Sequence, residues 1–201
     1  MKFVIIILFA YLLGSIPFSH IFPKIKGKDV SQAGTKNIGA TNVLVVAGPL
    51  MGGLALAGDI GKGYLAVMLT AYFFQSPWLP VLAGLAAIAG HDFSVFLKFK
   101  GGKGLATTGG ALLALNLLFG ILALLFWILL ILISRYFIAS TLIILGCVPV
   151  AMWVMGMKIE YIVFGLLAFG LALYTHREDI KRIVSGKELN TSESIKKHLN
   201  K

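Results

Sequence analysis

Apolar residues run in blocks long enough for a lipid bilayer, and the polar ones collect in the short gaps between them. Residues 3–13, 79–89, 117–133 and 137–157 are almost continuously apolar, and charged or glycine-rich pieces separate them. A helix needs roughly 20 mostly apolar residues to cross the hydrocarbon, so these blocks predict membrane-spanning helices. The predicted spans are 3–23, 51–74, 79–97, 104–116, 117–134, 136–157 and 160–175. The stretch 43–50 is too short to span and predicts a half-helix lying on or dipping into the face that carries the polar loop 27–42. At the start, Lys2 precedes an apolar run as in a cleaved signal. The continuation Gly14-Ser15-Ile16-Pro17-Phe18 offers no small-residue cleavage site, so a retained first span is expected.

Orientation follows from the basic residues. Lys24, Lys26, Lys28 and Lys36 follow the first span, and Lys98, Lys100 and Lys103 follow the third. Arg177, Lys181, Arg182, Lys187, Lys196, Lys197 and Lys201 fill the tail. The positive-inside tendency puts all three groups in the cytoplasm. Residues 105–134 set the parity: one tilted helix would send the tail outside, whereas a hairpin turning at 115–118, near Asn116, keeps it inside. The predicted fold is therefore an all-α integral membrane protein. It is a compact bundle of seven transmembrane helices with the N-terminus outside and the C-terminus cytoplasmic. One domain covers 1–201, with cytoplasmic motif segments at about 24–43, 98–104 and 176–201.

Composition agrees: 58% of residues are hydrophobic and only 13% charged, too little polar surface for a soluble globule. The net charge of +10 attracts anionic lipid and anionic substrates and needs no nucleic-acid partner. The lone Cys147 lies in an apolar run, where packing accounts for it. Asp59 stands three residues before Lys62, a helical spacing that favours a structural ion pair at the cytoplasmic interface. Ser140 and Thr141 are expected to bond local carbonyls, and His91 to brace the loop that follows it.

The richest chemistry lies in Phe99-Lys100-Gly101-Gly102-Lys103-Gly104-Leu105-Ala106-Thr107-Thr108. Glycines free backbone amides to converge on an oxyanion, the next helix adds its positive end, and Lys103 adds a point charge. A phosphate at a membrane surface is the expected ligand. Neither Lys62 nor Lys103 is followed by Ser or Thr as a Walker loop requires, so nucleotide hydrolysis is unsupported. No carboxylate lies five residues after His20, His91 or His176, which excludes the His-four-residues-Asp acyltransferase arrangement. Ligand clusters for a metal are absent, and no metal or cofactor is expected.

Four groups of residues carry a resemblance: Gly14-Ser15-Ile16-Pro17-Phe18; Asn37-Ile38-Gly39-Ala40-Thr41-Asn42-Val43; Gly90-His91 with Val95-Phe96 and the loop 99–107; and His176-Arg177-Glu178 with Ile180, Arg182, Gly186 and Glu188. In this order they resemble the bacterial acyl-phosphate:glycerol-3-phosphate acyltransferase family along nearly the whole chain. The resemblance implies a seven-helix inner-membrane enzyme that moves a fatty acyl group from acyl phosphate to the 1-hydroxyl of glycerol 3-phosphate, giving lysophosphatidate and phosphate. Its partners would be those two substrates and membrane lipid, acting on a monomer without a cofactor. It also implies catalytic roles for His176, Lys103 and Thr35. A phosphate site would draw on Lys36, Asn37, Gly39, Thr41, Asn42, Gly101, Gly102, Lys103, Gly104, Thr107, Arg177 and Asp179. Because an acyl phosphate is already activated, positioning and charge stabilisation suffice without a covalent nucleophile. Either a protein base or a substrate phosphate takes the hydroxyl proton.

The chain departs from the family pattern at several positions. Thr35-Lys36 stands where Ser-Gly is usual, Val45 where an arginine is usual, and Asp179 where an asparagine is usual. Thr35 keeps the hydroxyl, whereas Val45 gives up a bidentate phosphate fork. Lys36 is expected to supply the missing charge. Asp179 adds repulsion to a phosphate unless it is paired. The alternatives are a divergent member with another phosphorylated acceptor or a lipid-phosphate binding role, and an anion transporter.

Overall fold

Helix is the only extended regular structure among the described residues, because in lipid a helix satisfies its own backbone groups. The structure, a computed structural model, describes residues 2–188 together with Asn190 and Glu193. Lys196, Lys197 and Lys201 of the basic tail, with His198, lie outside the described residues.

The first passage is made of α1 (Lys2–Ser15) and α2 (Phe18–Ile25), offset at Ile16-Pro17. Proline cannot donate to the helical ladder, so the break falls there. Next comes α3 (Ala40–Ala47), the expected half-helix, shifted toward the N-terminus by the stop at Gly48, whose φ is +89°. Then follow α4 (Pro49–Phe73), α5 (Leu79–Asp92) with a 3-10 turn at Val95–Leu97, and α6 (Leu105–Leu115). The remaining helices are α7 (Leu117–Ser134), α8 (Phe137–Val154), α9 (Ile159–Thr175) and α10 (Arg177–Val184). The predicted hairpin is present, since α6 ends and α7 begins around Asn116. The side chain of Asn116 caps α7 by accepting the Phe119 amide at 2.9 Å.

Among the described residues, five stretches are long and apolar enough to cross a membrane: Lys2–Ile25, Pro49–Phe73, Leu79–Leu97, Leu117–Ser134 and Phe137–Val154. Ile159–Thr175 and Arg177–Val184, bent by 70° at their junction, make a sixth if the pair is taken as one broken span. The predicted span 104–116 needs correction as a full-length crossing. The 11 residues of α6 rise only about 16 Å at 1.5 Å each, against a hydrocarbon thickness of about 30 Å.

Burial is inverted relative to a water-soluble protein. Phe3, Leu8, Leu132 and Trp153 face outward, while Ser15, Ser19, Asp59, Lys62, His91, Thr107, Ser140, Thr141 and His176 are buried. Lipid removes the drive to hide apolar side chains, so helices associate through close backbone packing and interior polar contacts. A Cβ on Gly14 would lie 2.1 Å from the Ala87 carbonyl oxygen, and one on Gly90 would lie 2.2 Å from that of Tyr11. These glycines let α1 lie directly on α5. Between α4 and α6, Gly63 and Gly110 do the same, with 2.1 Å to the Thr107 oxygen and 2.0 Å to the Ile60 oxygen. A conventional apolar core of Val81, Ile88, Met152 and Phe164 sits among α5, α8 and α9.

Candidate functional site

The first polar loop is organised by one buried side chain. Asn42, at the start of α3, turns its amide nitrogen toward the carbonyls of Val30 at 2.9 Å, Ala33 at 3.1 Å and Asn37 at 2.9 Å. Its Oδ1 accepts the Thr35 amide at 2.9 Å. Its polar atoms are thereby taken up by the loop, so the expectation that Asn42 touches phosphate becomes a positioning role. Val30 plugs the loop onto Val43, Ala47, Met51 and Ala55. Thr35, Lys36 and Thr41 are exposed, Asn37 and Gly39 half-buried. Lys36 has φ +62°, a left-handed conformation that costs a non-glycine residue roughly 1–2 kcal/mol. The glycine usual at this position would adopt it without that strain.

The second loop is stitched to the end of α5. The Gly101 amide donates to the Asp92 carbonyl at 3.0 Å and the Gly102 amide to that of His91 at 3.1 Å. This corrects the expectation that these two amides converge on an anion. Gly101 and Gly102 are required instead by close approach, since a Cβ on Gly101 would lie 1.9 Å from the His91 oxygen. The first-turn amides of α6 at Leu105 and Ala106 lack intrahelical acceptors and remain available to an anion. Gly104 opens that turn at φ +70°. Thr107 is fully buried on the α4 side, its hydroxyl without a hydrogen-bond partner among the described residues.

Beneath this loop lies a polar network that the sequence shows only in part. The expected ion pair is present, with Lys62 Nζ 2.9 Å from Asp59 Oδ1 and both side chains 1% exposed. Lys62 also donates to the Ile16 carbonyl at 2.9 Å, and the Ser19 hydroxyl donates to Asp59 Oδ2 at 2.6 Å. His91 Nδ1 lies 3.4 Å from Asp59 Oδ1. Its other nitrogen would be only 2.2 Å from a Cβ on Gly102. His91 thus braces the loop, as expected, through both its carbonyl and its ring. No local spacing predicts that Asp59 and His91, on different helices, would meet.

The third segment bends by 70° at His176, between α9 and α10. Its Nδ1 lies 2.9 Å from the Ala172 carbonyl, which can only accept, so Nδ1 carries the proton and Nε2 is the free acceptor. Burial lowers the pKa of His176, and the Lys103 charge pushes the same way against the opposing effects of the Ala172 carbonyl and Asp179. A neutral imidazole at the boundary results. Asp179 is buried and paired through both oxygens, with Lys103 on Oδ2 and Arg182 on Oδ1. Arg177, expected at the phosphate, turns back to donate to the Tyr174 carbonyl at 2.9 Å and stacks over the Tyr174 ring. Glu188 accepts the amides of Ile138 and Ala139 at the start of α8, and burial raises its pKa. Thr141 bonds the Phe137 carbonyl at 2.8 Å as expected, whereas Ser140 pairs with the Ser134 hydroxyl at 2.8 Å.

The three segments meet. A Cβ on Gly102 would lie 2.4 Å from the Ile38 carbonyl oxygen, so the second loop rests on the first, and Lys103 reaches Asp179 in the third. A cavity of about 260 Å³ lies at the opposite end of the bundle, lined by Phe74, Gln75, Lys158 and Tyr161, away from these residues.

The family model for glycerol-3-phosphate acyltransferase matches residues 4–186. The chain belongs to the glycerol-3-phosphate acyltransferase family. Among members of this family, the protein of Pelagibacter ubique is 39% identical over 192 residues, covering 95% of this chain and 98% of that one. The protein of Carboxydothermus hydrogenoformans is 37% identical over 182 residues, covering 90% and 92%. Both are called glycerol-3-phosphate acyltransferase. The crystal structure of PlsY, an integral membrane glycerol 3-phosphate acyltransferase, in its glycerol 3-phosphate form superposes with a TM-score of 0.88. Identity is 32%, and 94% of this chain and 96% of that chain are covered. Its lysophosphatidic acid form gives 0.87 at 31% identity, covering 94% and 95%.

Proposed function

We propose that this multi-pass membrane protein transfers a fatty acyl group from acyl phosphate to the 1-hydroxyl of glycerol 3-phosphate in phospholipid synthesis. One observation carries the reading to this chain: the three motif segments, far apart in sequence, converge on Lys103 and His176 at one end of a lipid-exposed bundle. Both substrates are phosphates, and one bears a fatty tail that must come from the membrane.

Lys103, the first-turn amides of α6, Thr35, Asn37 and Lys36 hold phosphate oxygens. Electrostatic stabilisation by such pre-placed donors is the main catalytic resource for an activated donor. The neutral His176 presents Nε2 to the acceptor. In the reaction the glycerol C1 oxygen forms a bond to the acyl carbon and the acyl–phosphate oxygen bond breaks. The hydroxyl proton passes to Nε2 or to the departing phosphate, and the phosphate leaves with the electron pair.

The protein acts as a monomer in the cell's inner membrane, with seven crossings, the N-terminus outside and the site facing the cytoplasm. Parity supports this topology. Contact between Lys103 and Asp179 requires 104–176 to return to the same end, which the α6–α7 and α8–α9 hairpins achieve. The short α6 counts among the seven as the first arm of the α6–α7 hairpin, although it does not span the full hydrocarbon by itself.

Purified protein incubated with palmitoyl phosphate and a panel of phosphorylated polyols tests the activity. Lysophosphatidate should form with glycerol 3-phosphate and drop at least 100-fold in Lys103→Ala. Product from a different polyol alone, or a fully active variant, contradicts the proposal.

A further inference from the structure

The carboxylate of Asp179 sits between two cations. It is 2% exposed, and each of its oxygens is bonded to a cation, Lys103 on one side and Arg182 on the other. Lys103 is itself only 27% exposed, so the pair is partly withdrawn from water and weakly screened. A carboxylate and a phosphate oxygen make the same kind of charge-assisted bond to an ammonium. An arriving phosphate must therefore share Lys103 with an anion already in place. Summed over Lys103, Arg182, Asp179 and the neutral His176, the local charge is a single positive unit. Without Asp179 it would be two.

We infer that Asp179 is a positioning residue that sets phosphate affinity. Its carboxylate holds Lys103 and Arg182 ready for a phosphate and weakens the grip on that phosphate once it is bound. The inference rests on the assignment of Lys103 to substrate phosphate. The consequence concerns turnover: phosphate and lysophosphatidate, the products, carry the same charged group as the substrates. A site with two unopposed cations would retain them. Asp179 favours their release.

The test compares wild type with Asp179→Asn, an isosteric loss of one negative charge, reading the KM for glycerol 3-phosphate, the inhibition constant of inorganic phosphate, and kcat. Both constants should fall at least fivefold in the variant, with steeper salt dependence, while kcat falls as release slows. Asp179→Glu, which keeps the charge, should stay within about twofold of wild type. Arg182→Gln, at a half-exposed side chain, leaves Asp179 to Lys103 alone and should raise both constants. This second variant decides the matter if Asp179→Asn does not fold. Constants that are unchanged or raised in a folded Asp179→Asn, or unchanged in Arg182→Gln, overturn the inference. Lys103→Ala separates the two layers. If it leaves the phosphate inhibition constant untouched, the assignment of Lys103 itself fails. If it weakens phosphate while Asp179→Asn does not tighten it, only the role of Asp179 falls.

Discussion

Gly102→Ala is expected to disable the site while leaving the bundle standing. The added carbon would lie 2.2 Å from His91 Nε2 and 2.4 Å from the Ile38 carbonyl oxygen. Normal contact to either atom is above 3 Å, so the surroundings must open by about 1 Å. Neither side gives easily. His91 is fully packed beside Asp59, and Ile38 belongs to the loop that Asn42 ties down at four backbone groups. A misplacement of about 1 Å costs on the order of 100-fold in rate, equivalent to ~2.7 kcal/mol in the barrier. Overpacking costs roughly 1–3 kcal/mol of stability. Glycerol 3-phosphate-dependent release of phosphate from palmitoyl phosphate, in protein reconstituted into vesicles, reads the first number, and thermal unfolding in detergent reads the second. Gly53→Ala is the control: it lies in α4 with nothing within 4 Å of its added carbon, so activity should be unchanged. Activity of Gly102→Ala within twofold of wild type would show that the two loops do not depend on their contact.

Other perturbations probe different parts of the molecule. Asp59→Asn takes from the buried Lys62 the carboxylate 2.9 Å from it, a loss of about 3–5 kcal/mol. It should lower the detergent Tm by roughly 10 °C, and an unchanged Tm would contradict the structural role of the pair. Because the folded pKa of His176 lies below its ordinary value of 6.5, the stability it contributes is complete above pH 6.5 and is lost as pH falls. The acid limb of kcat/KM should therefore have its midpoint below pH 6.5. Asp179→Asn should move it lower still, because the Asp179 charge supports the protonated form; a midpoint above 6.5 would oppose a neutral His176. Lys36→Gly removes left-handed strain and should hold or raise the Tm. It should also raise the KM for glycerol 3-phosphate about fivefold, the worth of ~1 kcal/mol for an exposed charge contact; an unchanged KM would show that Lys36 does not reach the acceptor.

Much of this architecture is legible in the sequence because lipid is a strict solvent. Apolar blocks and their polar gaps fix α7 to its terminal residues, and Asn116 marks the hairpin by capping the next helix. The half-helix and the Asp59–Lys62 pair follow from length and helical spacing. The loops are less legible, because a glycine in a sequence has two uses. The amides of Gly101 and Gly102 are expected to donate to an anion and donate instead to carbonyls at the end of α5. The family resemblance implies phosphate roles for Asn42 and Arg177, yet their polar atoms bind the loop and Tyr174. The convergence of Asp59 with His91, of Lys103 with Asp179, and of Glu188 with the start of α8 joins residues on different elements, and no spacing rule reports such contacts.

The meeting of three chain segments around one phosphate is tested most directly by the affinity for glycerol 3-phosphate, titrated calorimetrically in detergent against wild type and one variant per segment: Thr35→Ala, Lys103→Ala and His176→Ala. If the segments share a pocket, each folded variant binds at least several-fold more weakly, with Lys103→Ala weakest, since its charge-assisted contact is the strongest of the three. Wild-type affinity in any one of them would remove that segment from the pocket and contradict the account.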